Sequence, residues 1–338
     1  MTSRERVLAA LRLEKPDRVP YVEIGVDPAV ANQLMGRTTE AESPPVLIEA
    51  NQRSIEEEKA LARAMHKDNI VYVLRAPVFA ERVAGVDGRL FYAEGQIRSR
   101  ADLDKLVLPD PHSDELYREL ETFVAGKEDF ALFLAARVGV FAAMLSMGLD
   151  HFFVALYDDR ALVEELMDRY TDWTVAVAER ACAMDIDVFL TTDDLAWKQA
   201  PMVSPALFRE LMMPRFRRVA EKVTKPWIVH SDGNIVPLIE DLLSLGISGL
   251  HALEPEALDI REVKRRWGGR VCLIGNVSLV TLGRGTPEQV SAEAKGLIRD
   301  LGENGGYMLS SSNSIASYLA VENVLALSRA AHAGDGMC

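Results

Sequence analysis

Trp227-Ile228-Val229-His230-Ser231-Asp232-Gly233-Asn234 runs three apolar residues directly into a histidine, an aspartate and an asparagine. Side chains alternate along a strand, so His230 and Asp232 share one side. Gly233 permits a tight turn immediately afterwards. Read as a strand of a (β/α)8 barrel, the run delivers a base and a carboxylate to one cavity at its C-terminal end, where such barrels keep their chemistry. Read as ordinary surface, His230 is a loop histidine. The carboxylate on the same face favours the first reading.

Seven further runs surround this one, at 18–27, 69–75, 130–139, 187–194, 247–254, 270–276 and 306–313. Their cores are nearly continuous apolar stretches, as strands covered on both faces require. Helical composition fills most gaps. The stretch 45–66 is rich in Glu, Ala and Leu, and Ser204-Pro205 and Thr286-Pro287 each place a cap residue before a first-turn proline. Alternating strands and helices favour a parallel sheet, and eight strands favour its closure into a TIM barrel. Two stretches depart from the alternation. Turn chemistry within 83–98 predicts a hairpin inserted after strand two, and 145–184 predicts extra helices after strand three. The tail from Ala333 reads as frayed.

A chain of 338 residues, 49% hydrophobic and 26% charged, fits one such barrel over 1–338 better than two unrelated domains. No apolar stretch reaches the roughly 18 residues of a membrane span. The charged, amphipathic start, Met1 to Leu8, is unlike a signal peptide. Cys182, Cys272 and Cys338 are odd in number and lack metal spacing, which points to a reducing cytoplasm. A net charge of −13 argues against nonspecific nucleic-acid binding.

Polar residues at the run ends are the candidate site. Asp193 and Asp194 point to opposite sides, so at most one faces the barrel mouth; the other is free to cap the next loop. Paired acids suit a metal, and N-capping or a salt bridge explains them equally well. Glu254 ends strand six, with His251 read as a packed or hydrogen-bonded residue. Asn276 ends strand seven, and Ser312 and Asn313 end strand eight; such neutral groups hold a polar substrate or simply form a small-residue turn. Arg75 and Arg137 end strands two and three. They either clamp a substrate carboxylate or pair with Glu23 and Asp27 of strand one. No P-loop, GxGxxG or Ser-His-Asp order is present.

Several segments resemble the uroporphyrinogen decarboxylase superfamily, in its methyltransferase-like branch. They are Arg4-Glu-Arg-Val-Leu-Ala-Ala-Leu-Arg with Lys15-Pro-Asp-Arg-Val-Pro, Asp193-Asp-Leu-Ala-Trp-Lys, His230-Ser-Asp-Gly-Asn, Leu250-His-Ala-Leu-Glu-Pro, Leu273-Ile-Gly-Asn, Gly285-Thr-Pro-Glu-Gln-Val and Gly305-Gly-Tyr-Met-Leu-Ser-Ser-Ser-Asn-Ser-Ile. They follow the expected order along almost the whole chain.

The resemblance implies a barrel, but the reaction depends on the branch. True decarboxylases carry an Arg-Gln-Ala-Gly-Arg-Tyr signature that grips substrate carboxylates. Here strand one holds Glu23 and Asp27 instead, an acidic pair expected to repel a polycarboxylated tetrapyrrole. Thiol methyltransferases hold zinc with His-x-Cys and a distant cysteine. Here the pair reads His230-Ser231-Asp232, with Ser312 and Asn313 near the distant position, so a zinc–thiolate site is excluded. Members that demethylate methoxylated aromatics use two acids and a histidine, a spacing that Asp194, Glu210 and His230 approximate.

The implied function is transfer of a methyl group from a small methoxylated or methylated compound to a corrinoid protein. The corrinoid would come from a partner, because this chain lacks Asp-x-His-x-x-Gly. Zinc is the implied metal, His230, Asp232 and Asp194 the expected catalytic residues, and a homodimer is left open. A decarboxylase without metal and a non-catalytic binding barrel are the alternatives.

Overall fold

The computed structural model describes residues 1–37, 51, 53–85 and 90–332. The strands are β1 (Asn69–Val73), β2 (Ala80–Ala84), β3 (Leu90–Gly95), β4 (Ala131–Ala136), β5 (Val188–Thr192), β6 (Trp227–Ser231), β7 (Gly249–Ala252), β8 (Cys272–Ile274) and β9 (Tyr307–Met308). Seven of them form a curled, all-parallel sheet in the order β1-β4-β5-β6-β7-β8-β9. Each sits beside its neighbour in the chain, because crossovers return the backbone to the next position.

The expected first strand over 18–27 is not one. That segment makes only isolated parallel bridges, Tyr21 to Leu309 and Val26 to Ile315. On one side Val22 N donates to Leu309 O (3.0 Å) and Leu309 N to Pro20 O (2.8 Å). On the other, Asp68 N donates to Tyr21 O (2.7 Å). There the side chain of Asn69 takes the place of a backbone ladder, its Nδ2 donating to Glu23 O (3.0 Å) and its Oδ1 accepting from Glu23 N (3.1 Å). The segment is thus bonded toward both edges of the sheet without strand geometry of its own.

The inserted hairpin is present as the antiparallel pair β2 and β3, with its tip at 86–89 outside the described residues. Three helices follow β4: Val140–Met147, Leu149–Asp158 and Arg160–Ala183. The predicted helix over 45–66 is found as Ile55–Ala64, opened by a capping box between Ser54 and Glu57. Residues 45–50 and the tail from Ala333, with Cys338, lie outside the described residues. Among the described residues no single helix is long and apolar enough to cross a membrane.

Strand periodicity divides the core in two. Val71, Val73, Phe133, Ala135, Val188, Leu190, Ile228, Ile274 and Met308 form one cluster inside the curl, joined by Val7, Ala10 and Leu11 of the helix Ser3–Leu11. Their alternates, among them Tyr72, Leu134, Phe189, Val229 and Leu273, pack outward among the helices. Every residue on a strand therefore has an address, inside or outside, set by its parity.

Candidate active site

The inner parity continues past the strand ends and selects the site. After Val71 and Val73 comes Arg75; after Phe133 and Ala135 comes Arg137. Val188 and Leu190 lead to Thr192 and Asp194, and Ile228 leads to His230 and Asp232. All six line one cavity of about 200 Å³, with Asn313 from the segment after β9 and with Ile24, Leu190 and Phe141 among its apolar walls. A wider cavity of about 750 Å³ runs along Tyr72 and Leu74, which carry the opposite parity, so it lies outside the curl.

Three groups converge in the inner cavity. His230 Nε2 is 3.5 Å from Asp232 Oδ1 and 3.8 Å from Asp194 Oδ1. Asp232 N donates to Asp194 Oδ1 (3.1 Å), tying the ends of β5 and β6 together. The turn after Asp232 needs Gly233. Its φ is +79°, and an added Cβ would stand 2.5 Å from the carbonyl oxygen of Trp197. Gly233 N donates to Glu254 Oε2 (2.7 Å), so Glu254 braces the turn.

Behind His230 the site is buried. His230 is 7% exposed, and its Nδ1 lies 2.6 Å from Nδ1 of the fully buried His251. The two residues are register partners on β6 and β7. His251 Nε2 is 3.4 Å from Ser310 Oγ, which donates to Glu23 Oε2 at 3.4 Å. Ser311 holds the same carboxylate more tightly, through its hydroxyl (2.6 Å) and its backbone N–H (3.0 Å).

This environment moves the protons. Burial pushes the His230 imidazolium below its ordinary range; Asp194 opposes the shift, and Arg75 and Arg137 add to it. Burial, and then His230, push His251 further down. Burial raises Asp232 to about 8, and the charges of Asp194 and Glu254 act the same way against the Asn313 hydrogen bonds. Both histidines are therefore neutral at pH 7, and the acids crowd one another.

Asp194, His230 and Asp232 can each offer one ligand atom, all within 4.8 Å of one another. A neutral imidazole nitrogen and two carboxylates fit a divalent ion such as zinc, and a cation there would relieve the repulsion that raises Asp232.

Not every expected residue arrives. Glu210 lies in the helical turn Phe208–Met212, 60% exposed and 2.8 Å from Arg160 Nη2, so it is Asp232 that stands with Asp194 and His230 in the group able to hold a metal. Glu23 is 1% exposed beneath the cavity, and Asp27 accepts from Ser317 N (2.8 Å); neither lines the cavity, so the expected acidic pair does not face a substrate there. Asn276 donates to Leu253 O (2.5 Å) and lines a separate cavity of about 410 Å³ with Pro255 and Glu293. Ser312 accepts from Leu279 N (3.2 Å) and does not line the inner cavity. Asp193 takes the capping alternative, accepting from Val138 N (2.6 Å) and Phe141 N (3.1 Å). Thr192, Ile24 and Phe141 were missed as lining residues, although the parity of Val188 and Leu190 marks Thr192.

The uroporphyrinogen decarboxylase (URO-D) family model matches residues 2–334, and the chain belongs to that family. A uroporphyrinogen decarboxylase of Coxiella burnetii is 26% identical over 180 residues, 51% of this chain and 47% of that protein. The chain thus spans about half the length of that curated relative. A methylated-thiol–coenzyme M methyltransferase of Methanosarcina mazei is 25% identical over 125 residues, 37% of this chain and 33% of that protein. Among solved structures, a methyltransferase from Methanosarcina mazei superposes with a TM-score of 0.75 at 22% identity, covering 98% of this chain and 99% of that one. That likeness shows a shared fold.

Proposed function

We propose that this chain is a methyltransferase of the family's methyltransferase-like branch, moving a methyl group from a small methoxylated or methylated compound to a corrinoid carried by a partner protein in the cytoplasm. On this reading residues 1–338 form one domain, a (β/α)8 barrel in which 18–27 fills the eighth stave. The carrying observation is the convergence of His230, Asp194 and Asp232 at the inner end of β5 and β6, facing Arg75 and Arg137 across a small cavity.

The residues divide the work. Arg75 and Arg137 offer guanidinium groups to an anionic substituent on the methyl donor, orienting it by charge-assisted hydrogen bonds. Ile24, Leu190 and Phe141 wall the cavity with apolar surface, which keeps water from the reacting carbon and strengthens each polar contact. His230, Asp194 and Asp232 would hold zinc, which when bound supplies a Lewis acid for the leaving oxygen of a poorly reactive methyl ether. Asn313, donating to both oxygens of Asp232 at 2.8 Å, fixes that carboxylate.

The names of several relatives support a second reading, decarboxylation. The size of the cavity speaks against a tetrapyrrole, because about 200 Å³ is less than the roughly 300–1,000 Å³ of pockets for drug-sized ligands.

The deciding experiment combines metal analysis of the purified protein with single-turnover assays. Zinc at one equivalent, with methyl transfer from methoxylated carboxylates to a Co(I) corrinoid, is the expected result. Metal-independent decarboxylation of uroporphyrinogen, with no methyl transfer to any donor in the panel, would overturn it.

A further inference from the structure

The contact between His230 and His251 leaves only two arrangements of protons. Two Nδ1 atoms 2.6 Å apart in neutral rings share one hydrogen: one ring donates and the other accepts. If His230 donates, its Nε2 is bare and faces Asp194 and Asp232. His251 then carries its proton on Nε2, donates to Ser310 Oγ, and Ser310 donates to Glu23. If His251 donates, its own Nε2 is bare and takes the Ser310 hydrogen away from Glu23, and His230 Nε2 presents an N–H to the two carboxylates. Only the first arrangement gives His230 a lone pair for a ligand in the cavity.

We propose that His251 is the positioning residue for His230, and that the carboxylate of Glu23, acting through Ser310, sets the direction of the hydrogen-bond chain so that His230 Nε2 is the bare nitrogen. This rests on the reading of Asp194, His230 and Asp232 as a metal site.

Three observations carry it. First, the geometry ends the chain in an acceptor: Ser310 Oγ is placed to donate to Glu23 Oε2, which leaves that hydroxyl oxygen to accept from His251. Second, Glu23 is itself fixed, by two hydrogen bonds from Ser311. Third, the pairing is built into the sheet. His230 and His251 occupy matched positions on adjacent strands, with ring centres 4.9 Å apart. Gly249, two residues before His251, turns the same way inside the curl, where an added Cβ would stand 3.0 Å from Ile228 and Ile274. Metal-bound histidines commonly have the other ring nitrogen fixed by such a partner, and losing it costs about 10–100-fold in metal affinity.

The test measures zinc affinity of the metal-free full chain by chelator competition, with the ring tautomer of His230 read separately by ¹⁵N NMR. His251→Leu should weaken zinc binding about 10–100-fold and remove the preference of His230 for the Nδ1-protonated form. His251→Gln, whose amide oxygen accepts where Nδ1 did, should restore both within a few-fold. Ser310→Ala and Glu23→Gln interrupt the chain without touching the His230 ring, and should shift the tautomer in the same direction. Thermal melting verifies that each variant is folded. A folded His251→Leu or Ser310→Ala protein with wild-type zinc affinity and wild-type tautomer would overturn the proposal. If wild-type protein takes up no zinc, the metal reading fails; the tautomer then decides alone, and no response to Ser310→Ala or Glu23→Gln overturns the positioning role as well.

Discussion

Asn313 reaches from the last strand's extension to Asp232 at the end of β6, its amide nitrogen 2.8 Å from both carboxylate oxygens. These two residues are 81 positions apart, and the contact joins opposite parts of the sheet. It also fixes one of the acids on which the proposed chemistry depends.

That acid makes stability depend on pH. The Asp232 carboxyl in the folded protein titrates at about 8, above the roughly 3.9 of an unfolded aspartate. The folded state binds this proton more tightly, so the contribution is fully present below about pH 4 and is lost as pH rises through about 8. Metal-free protein should therefore lose more melting temperature across this window than Asp232→Asn does, as scanning calorimetry would show. Zinc should remove most of the difference. Equal slopes for the two proteins would contradict this.

Ligand substitutions should separate the inner acids from Glu210. Asp194→Asn and Asp232→Asn are expected to weaken zinc binding by at least about tenfold. Glu210→Gln should leave it unchanged, because that side chain is 60% exposed and paired with Arg160. Competition titrations on metal-free protein test both halves.

His230→Ala should reduce methyl transfer by about 10²–10⁴-fold or more. Because His251 Nδ1 is buried against His230, its removal also strands a polar atom, at about 1–3 kcal/mol. The expected pattern is a folded but less stable protein with almost no single-turnover activity. Near-normal turnover would remove His230 from the mechanism.

Arg137→Met and Arg75→Met should raise the KM for a carboxylate-bearing methyl donor more than for a neutral one. A lost charge-assisted hydrogen bond of about 1.5–3 kcal/mol corresponds to roughly 10–150-fold. Parallel steady-state measurements on the two donors check the discrimination.

Gly233→Ala should lower stability by more than about 1 kcal/mol, since the position combines φ of +79° with a carbonyl oxygen 2.5 Å from the new Cβ. Activity should fall with it, because the same turn carries Asp232.

Much of this was legible in the chain. Alternation within each apolar run assigned an inner and an outer face, and continuing the inner face past the strand end reaches Arg75, Arg137, Asp194, His230 and Asp232. The hairpin and the added helices followed from turn and helix chemistry at 83–98 and 145–184. The first run was misleading. Its apolar content resembles a strand, yet Asn69 satisfies the Glu23 backbone through its side chain, and only isolated bridges form.

Periodicity is a local property, so the sequence by itself determined which side of its strand each polar residue takes. Register and loop path are not local, and the tertiary structure alone decided them. Register set His251 beside His230, making the residue expected to be packed or hydrogen-bonded the partner of that histidine. The crossover path carried Glu210 to the surface, and the segment after β9 brought Asn313 onto Asp232. Such contacts depend on how far one strand slides against the next and where its helix returns, quantities fixed by packing of the whole sheet.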